Sequence, residues 1–143
     1  MTRMSISALA GVLALTATQT VTAQCELVSM AEAESLLGAD TTDMTGDDAE
    51  FQCLFLSNES GIMLIVQFAD REYFENATLL QPFETVDIGN AGRSRVEANG
   101  TASVQFLQGN ASATMTVRPT RGGTHDFLDS LLQLATRVAA RME

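Results

Sequence analysis

Two cysteines, Cys25 and Cys53, constrain the fold of this chain more than any other feature, because they are its only cysteines. In an exported protein, an even pair is more simply explained by a disulfide than by a metal or redox site. Closing the loop between them would stabilise the folded chain by roughly 3.5 kcal/mol. The bond would also hold the N-terminal segment against the first predicted strand, where a chain otherwise frays.

Residues 1–23 have the three parts of a secretory signal peptide. Arg3 precedes an apolar run from Ile6 to Leu15, and small residues lead up to Ala23, after which we expect cleavage. The run is too short to span a bilayer, and no other run in the chain is long and uncharged enough to do so. Lipoprotein peptidases prefer Leu three positions before the cysteine and a small residue directly before it, but Thr22 and Gln24 stand there. We therefore predict a mature chain that begins at Gln24 without lipid. Lipidation of Cys25 and an uncleaved anchor are the alternatives.

The remaining chain, residues 24–143, has the ordinary size of one domain. The formal net charge of the whole sequence is −10. Such a surface repels nucleic acid and anionic membranes, so we exclude phosphate-backbone binding as the main role.

The first half of the mature chain predicts a helix, a hairpin and a second helix. Ser29 and Glu32 form a capping box at the start of a helix that ends at Gly38. Residues 39–50 are polar and acidic without periodicity, and they predict a loop. Residues 51–57 and 62–68 read as two strands joined by a turn, and the second should lie centrally because it is apolar on both faces. Asp70 is placed to cap a short helix that ends before Pro82.

The second half predicts more antiparallel strands and a final helix. Residues 83–98 should be extended, and residues 103–107 and 111–117 should form a hairpin with alternating burial. Residues 124–142 carry apolar side chains on one helical face, with acidic residues in the first turns and Arg137 and Arg141 in the last. The fold class is therefore α+β, an antiparallel sheet with N-terminal, middle and C-terminal helices packed on it.

The chain resembles a family of small bacterial cell-envelope domains of unknown function, many of them actinobacterial lipoproteins. The resemblance rests on spaced motifs: Cys25, Leu27, Ser29, Glu32, Ala33, "LLG" at residues 36–38, Cys53, "DIGNAG" at residues 87–92 and "LLQLATRVAAR" at residues 131–141. It implies a PsbP-like sandwich with the two cysteines bonded, and it supplies no catalytic residue. The chain departs from the family pattern in lacking a lipid-attachment box, in Leu54 where an aromatic residue often stands, and in Gly92 where Ala is usual. These departures favour a periplasmic or secreted relative.

Residues suited to catalysis or metal binding are few. His125 is the only histidine, and although Asp126 and Ser130 are close to it in sequence, no nucleophile motif accompanies them. We interpret His125 as a surface residue at a helix start. The acidic residues of the loop could offer oxygen ligands to calcium, but their spacing does not match that of an EF-hand. These residues are Asp40, Asp43, Asp47, Asp48 and Glu50. We predict no metal site and no cofactor.

The stretch before the final helix is the best candidate for recognition. Arg118 and Arg121 precede the segment Gly122, Gly123 and Thr124, at the predicted start of that helix. Backbone amides and the helix dipole favour an anion there, so these residues predict an anion-accepting rim for a ligand whose apolar part lies against the sheet. A flexible turn is the alternative. Arg93 and Arg95 lie two positions apart in an extended stretch and should point to one face of the sheet.

Two classes of function fit these features. The first is a non-catalytic envelope module that binds a small molecule or a protein partner. The second is a divergent hydrolase with a site near His125. The scarcity of titratable residues suited to catalysis favours the first.

Overall fold

The protein has an antiparallel sheet with helices on both faces. A computed structural model describes residues 24–46, 52–76, 82–119 and 126–142. Within them the sheet has seven strands in the order β1-β2-β3-β7-β6-β5-β4, and every pairing is antiparallel. The strands are β1 Thr41–Asp43, β2 Gln52–Ser57, β3 Met63–Asp70, β4 Glu84–Val86, β5 Ala91–Val96, β6 Ala102–Gln108 and β7 Ala111–Arg118. The helices are α1 Met30–Leu37, α2 Arg71–Asn76 and α3 Leu128–Arg141. The α+β class is confirmed.

The hydrophobic core lies between the sheet and the two longer helices, on what we call the α1–α3 face. Alternate residues of the central strands point into it, and register places Leu64 opposite Val117 and Val66 opposite Met115. Helix α3 covers the core with Leu131, Leu134, Ala135, Val138 and Ala139. Because strand side chains alternate between faces, the residues between these core positions point to the opposite face of the sheet.

Local signals predicted several elements correctly. The Ser29 hydroxyl accepts from the Glu32 amide at 3.1 Å, and the Glu32 carboxylate accepts from the Ser29 amide at 3.1 Å, so the capping box starts α1. Gly38 follows the helix with a φ of 125°, which favours glycine. Asp70 caps α2 by accepting from the Tyr73 amide at 2.9 Å. The predicted strand at residues 62–68 is β3, an interior strand.

Three predicted elements differ from the structure. The predicted loop at residues 39–50 contains β1, whose three residues pair with β2 although they have no apolar pattern of their own. The extended stretch 83–98 is two strands, β4 and β5, that pair with each other. The final helix begins at Leu128 and not at residue 124, and the Asp126 carboxylate accepts from the Leu128 amide at 3.1 Å. In each case pairing or capping by nearby groups decided a boundary that periodicity alone left open.

Cys25 and Cys53 form the predicted disulfide, with their Cα atoms 5.7 Å apart. Cys25 begins a short 3-10 helix, Cys25–Leu27, and Cys53 lies in β2, so the bond ties the start of the described chain to the sheet. In the described part of the chain, no helix is both long and apolar enough to cross a membrane. The predicted signal segment and cleavage site precede the described residues.

Candidate functional site

The second face of the sheet carries polar side chains over its central strands. We call it the α2 face, because α2 lies on it. Register places Arg93 beside Gln105 and Gln105 beside Thr114, in a row that crosses β5, β6 and β7. Although these side chains point away from the hydrophobic core, Gln105 is only 1% exposed. This face is therefore a built polar surface and not simply the solvated side of a sheet.

A groove of about 260 Å³ lies over these rows, which we call the polar groove. Its floor consists of hydroxyl and amide side chains from β6, β7 and the turn before β6: Thr101, Ser103, Gln105, Thr114 and Thr116. Its rim consists of longer side chains from β3, α2, the end of β5 and the end of β7: Gln67, Tyr73, Arg95, Glu97 and Arg118. The volume is below the range of about 300–1,000 Å³ typical of cavities for drug-sized ligands. The groove suits a smaller molecule.

Hydrogen bonds between neighbouring strands hold the floor in place. The Gln105 side-chain amide donates to the Thr114 hydroxyl at 3.0 Å, and the Ser103 and Thr116 hydroxyls lie 3.2 Å apart. Burying polar groups is costly unless they are hydrogen-bonded, and here the buried groups satisfy one another. The floor is therefore stable without a ligand and is preorganised for one.

Arg93 joins the floor to α2 and to the segment before β4. Its Nε donates to the Gln105 side-chain oxygen at 2.7 Å, and another guanidinium nitrogen donates to the Phe74 carbonyl. The guanidinium carbon also lies 4.2 Å from the centre of the Phe74 ring and 5.1 Å from that of Phe83, within cation–π range. Partial burial lowers the pKa of Arg93 from its ordinary value, yet an arginine in a protein stays protonated. Arg93 thus holds α2 in place, and α2 carries Tyr73, which lies on the rim of the groove.

The charged groups of the rim are two arginines and one glutamate. Arg95 forms a salt bridge with Glu97 at 3.5 Å. The Arg118 guanidinium forms no ion pair or hydrogen bond with the described part of the chain. Among the described residues that line the groove there is therefore one more positive than negative group, in a protein with a formal net charge of −10. This local charge favours an anion over a cation.

Of the predicted anion-accepting residues, the structure describes Arg118, which lies at the end of β7 and on the rim of the groove. Arg121, Gly122, Gly123 and Thr124 lie outside the described residues. Helix α3 begins at Leu128, four positions after the predicted start at residue 124. The part of the groove floor beside Arg118 consists of Thr116 and Thr101 and is polar. The sequence predicted an apolar surface of the sheet beside this residue.

Of the residues considered for catalysis, the structure describes Asp126 and Ser130. His125 lies outside the described residues. The Asp126 carboxylate accepts from the Leu128 amide at the start of α3, and Ser130 is exposed on that helix.

The acidic loop supplies hydrogen bonds that support turns. The Asp40 carboxylate accepts from the Ser57 hydroxyl at 2.9 Å and from the Glu59 amide, and the Asp43 carboxylate accepts from the Thr45 amide at 2.9 Å. Asp47, Asp48 and Glu50 lie outside the described residues. Over the described ranges, no three acidic, histidine or cysteine side chains come together as metal ligands.

Two wider depressions, of about 780 and 630 Å³, flank the edge strand β4. The first places Glu84 and Glu97 around Arg95, and the second is lined largely by the turn at residues 87–92 together with Arg93, which already has partners. Neither has a floor of buried, mutually bonded polar side chains. The polar groove is the better candidate site.

Sequence reasoning found Arg118 and the shared face of Arg93 and Arg95, but it missed the floor. The available signal was the alternation of the polar residues Ser112, Thr114 and Thr116 with apolar residues in β7, which predicted a strand and no binding surface. Recognising a floor also required the pairing of Gln105 with both Arg93 and Thr114, which depends on strand register.

Comparison with known proteins found no matching family model, no similar curated protein and no similar solved structure.

Proposed function

We propose that this protein is an exported, non-catalytic module that binds a small molecule in the polar groove. The observation that best supports this proposal is the buried polar floor of the groove. The hydrophobic core needs only one apolar face of the sheet, yet on the other face β6 carries two buried polar residues, Ser103 at 8% and Gln105 at 1% exposure. Concave surfaces with a few convergent polar groups are the usual setting for small-molecule sites.

Export to the periplasm or to the medium is part of the same proposal. It is supported by the signal-like residues 1–23, by the disulfide, and by the resemblance to cell-envelope domains, which also suggests a PsbP-like arrangement of the sheet and helices. We expect the mature chain to start at Gln24 and to carry no lipid. Intact-mass measurement of protein from its native envelope tests this, and a diacylglyceryl mass on Cys25 would contradict it.

Binding in the groove is tested by NMR titration of ¹⁵N-labelled protein with a library of small polar metabolites. We expect shift changes to cluster at residues 101–105 and 114–118 for those compounds that bind. Thr116→Phe fills the groove and should abolish these changes. The matched control is Thr136→Phe, at an exposed position on α3, which should leave them intact. If no compound shifts the groove residues, or if Thr116→Phe leaves the same changes in place, the groove is not the binding site.

The non-catalytic part of the proposal is tested at His125, the residue on which a divergent hydrolase would depend. His125→Ala should leave ligand binding, and any turnover that accompanies it, nearly unchanged. A hundredfold loss of hydrolytic activity in this variant, with the fold intact, would show that the protein is an enzyme and that our proposal is wrong.

A further inference from the structure

The hydrogen bonds of the groove floor have a fixed direction, and this direction specifies the ligand. Arginine has only donors, so the side-chain oxygen of Gln105 must face Arg93, and its NH₂ group must face Thr114. Neither an amide flip nor an alternative protonation state reverses this order. The chain of donors therefore runs from the cation at Arg93 through Gln105 to the Thr114 hydroxyl.

Thr114 stands at the end of this chain with a hydrogen to donate. Its oxygen accepts from Gln105, and its own hydrogen has no acceptor among the described residues. A donor chain that starts at a charged group polarises each bond along it, which makes the terminal hydroxyl a stronger donor. Thr114 lines the groove, so this donor is presented where a ligand would lie.

Arg118 adds a charged donor on the same strand and the same face. Thr114 and Arg118 are four positions apart in β7, so their Cα atoms are separated by about 14 Å at the usual rise of a strand. Thr116 lies between them, and its hydroxyl is paired with that of Ser103. The glutamate of the rim is already paired with Arg95. The groove thus offers one charged donor at one end, a polarised donor at the other and a pair of hydroxyls between them.

We propose that the polar groove binds a small hydroxycarboxylate, such as a sugar acid or a hydroxylated organic acid. The carboxylate lies against Arg118, whose planar fork matches its geometry, and an oxygen at the other end of the ligand accepts from Thr114. Ligand hydroxyl groups, which both donate and accept, pair with Ser103 and Thr116. This inference rests on the proposed binding function and specifies its ligand class.

The experiment compares four probes by ¹⁵N NMR titration at constant ionic strength: D-glucuronate, citrate, D-glucose and inorganic phosphate. Concentrations up to about 10 mM would reveal dissociation constants in the millimolar range. We expect D-glucuronate and citrate to shift the groove amides, and D-glucose and phosphate to bind at least about tenfold more weakly, because each lacks half of the recognised chemistry.

Three variants assign the contacts. Arg118→Gln should weaken D-glucuronate binding by about tenfold or more, because it removes the charged partner of the carboxylate. The matched control is Arg137→Gln, the same change on α3, away from the groove, and it should have no effect. Thr114→Val should weaken binding, and Thr114→Ser, which keeps the hydroxyl, should restore it.

The outcomes separate the two proposals. If D-glucose binds the groove as well as D-glucuronate does and Arg118→Gln has no effect, the ligand class is wrong but the groove still binds small molecules. If phosphate binds as well as D-glucuronate, the groove selects an oxyanion alone, and the hydroxycarboxylate assignment is wrong. If none of these probes and no neutral metabolite shifts the groove amides, the proposed binding function fails as well.

Discussion

A single carboxylate, that of Glu32, joins the two ends of the described chain. It completes the capping box of α1 and also accepts from Arg137 at 2.8 Å and from Arg141 at 2.5 and 3.1 Å near the end of α3. Arg141 in turn donates to the Leu27 carbonyl at 2.8 Å. Partial burial raises the pKa of Glu32, but the hydrogen bonds from Arg141, Arg137 and Ser29 outweigh burial and lower the pKa from 4.5 to about 2.

This shift makes stability depend on pH in a defined window. Because the folded state has the lower pKa, the Glu32 carboxylate stabilises the protein fully above pH 4.5, and this stability is lost as the pH falls towards 2. Glu32→Gln should lower the free energy of unfolding at pH 7 by about 1–2 kcal/mol, since the exposed arginines are partly screened by solvent.

Urea unfolding of wild type and variant between pH 7 and pH 3 measures this effect. The difference between the two proteins should shrink below pH 4.5. The control is Glu34→Gln, the same change on the same helix, where the side chain forms no ion pair with the described residues. An equal loss of stability in both variants would show that the network around Glu32 contributes nothing specific.

Gly89 and Gly109 provide a second comparison at the scale of single residues. Both have a φ of 62°, a conformation that other residues rarely adopt. A Cβ atom on Gly89 would lie 2.4 Å from the Leu107 carbonyl oxygen, whereas one on Gly109 would meet nothing within 4 Å. We expect Gly109→Ala to cost about 1 kcal/mol, from backbone conformation alone. Gly89→Ala should cost clearly more, because the β4–β5 turn must also move away from β6.

Thermal or chemical unfolding of both glycine variants checks this prediction. Equal losses would mean that the turn adjusts freely and that the close approach to Leu107 is unimportant. Gly92 is a related case. A Cβ atom there would lie 2.9 Å from the Val86 carbonyl oxygen, so a larger residue would force β4 to shift relative to β5.

Among the elements, α2 is attached to the rest of the fold by a few long-range hydrogen bonds. Arg71 donates to the carbonyls of Gly109 and Asn110, and the Phe74 carbonyl accepts from Arg93. Helix α2 has six residues and buries none of them fully, so its own sequence provides little stability. Arg93 contacts both the carbonyl and the ring of Phe74 and thereby holds the helix against the sheet. The same contacts position Tyr73 at the rim of the groove.

Arg93→Lys should therefore release α2 while keeping the charge. Lysine cannot donate to Gln105 and to the Phe74 carbonyl with the same fixed fork, and it stacks less well on the two aromatic rings. We expect amide hydrogen exchange in α2 to become at least about tenfold faster, because local opening then costs less free energy. Exchange in α1, which has no contact with Arg93, is the internal control. Unchanged protection of α2 would show that other contacts hold it.

At the scale of the whole molecule, the disulfide links the start of the described chain to the sheet. Cys53 is fully buried and Cys25 is partly exposed, so the two ends of the bond differ in environment. Removing the bond should cost about 2–5 kcal/mol, the usual range for small exported domains. Cys53→Ser should lower the free energy of unfolding more than Cys25→Ser does, because it also places a hydroxyl in the core.

Unfolding measurements with and without reductant test this prediction. Both variants should lose the sensitivity to reductant that wild type shows. If Cys25→Ser unfolds like wild type under oxidising conditions, the bond contributes little to the stability of this domain.

The sequence by itself determined the elements whose signals are local. The capping box of α1 joins residues three positions apart, and Asp70 caps the helix that directly follows it. The alternation of Ala113, Met115 and Val117 identified the core side of β7, because side chains in a strand alternate with a period of two. The cysteines were recognisable as a pair because there are only two of them.

Only the tertiary structure decided which elements lie side by side. Strand β3 pairs with β7, more than forty positions away in the chain, and this pairing aligns Thr114 and Thr116 with β6 on one side and with β3 on the other. Strand β1 has no pattern of its own and exists because β2 offers it partners. The groove depends on the same register, since Arg93, Gln105 and Thr114 come from three strands. Long-range pairing is selected by the burial of the whole core, which no window of local sequence contains.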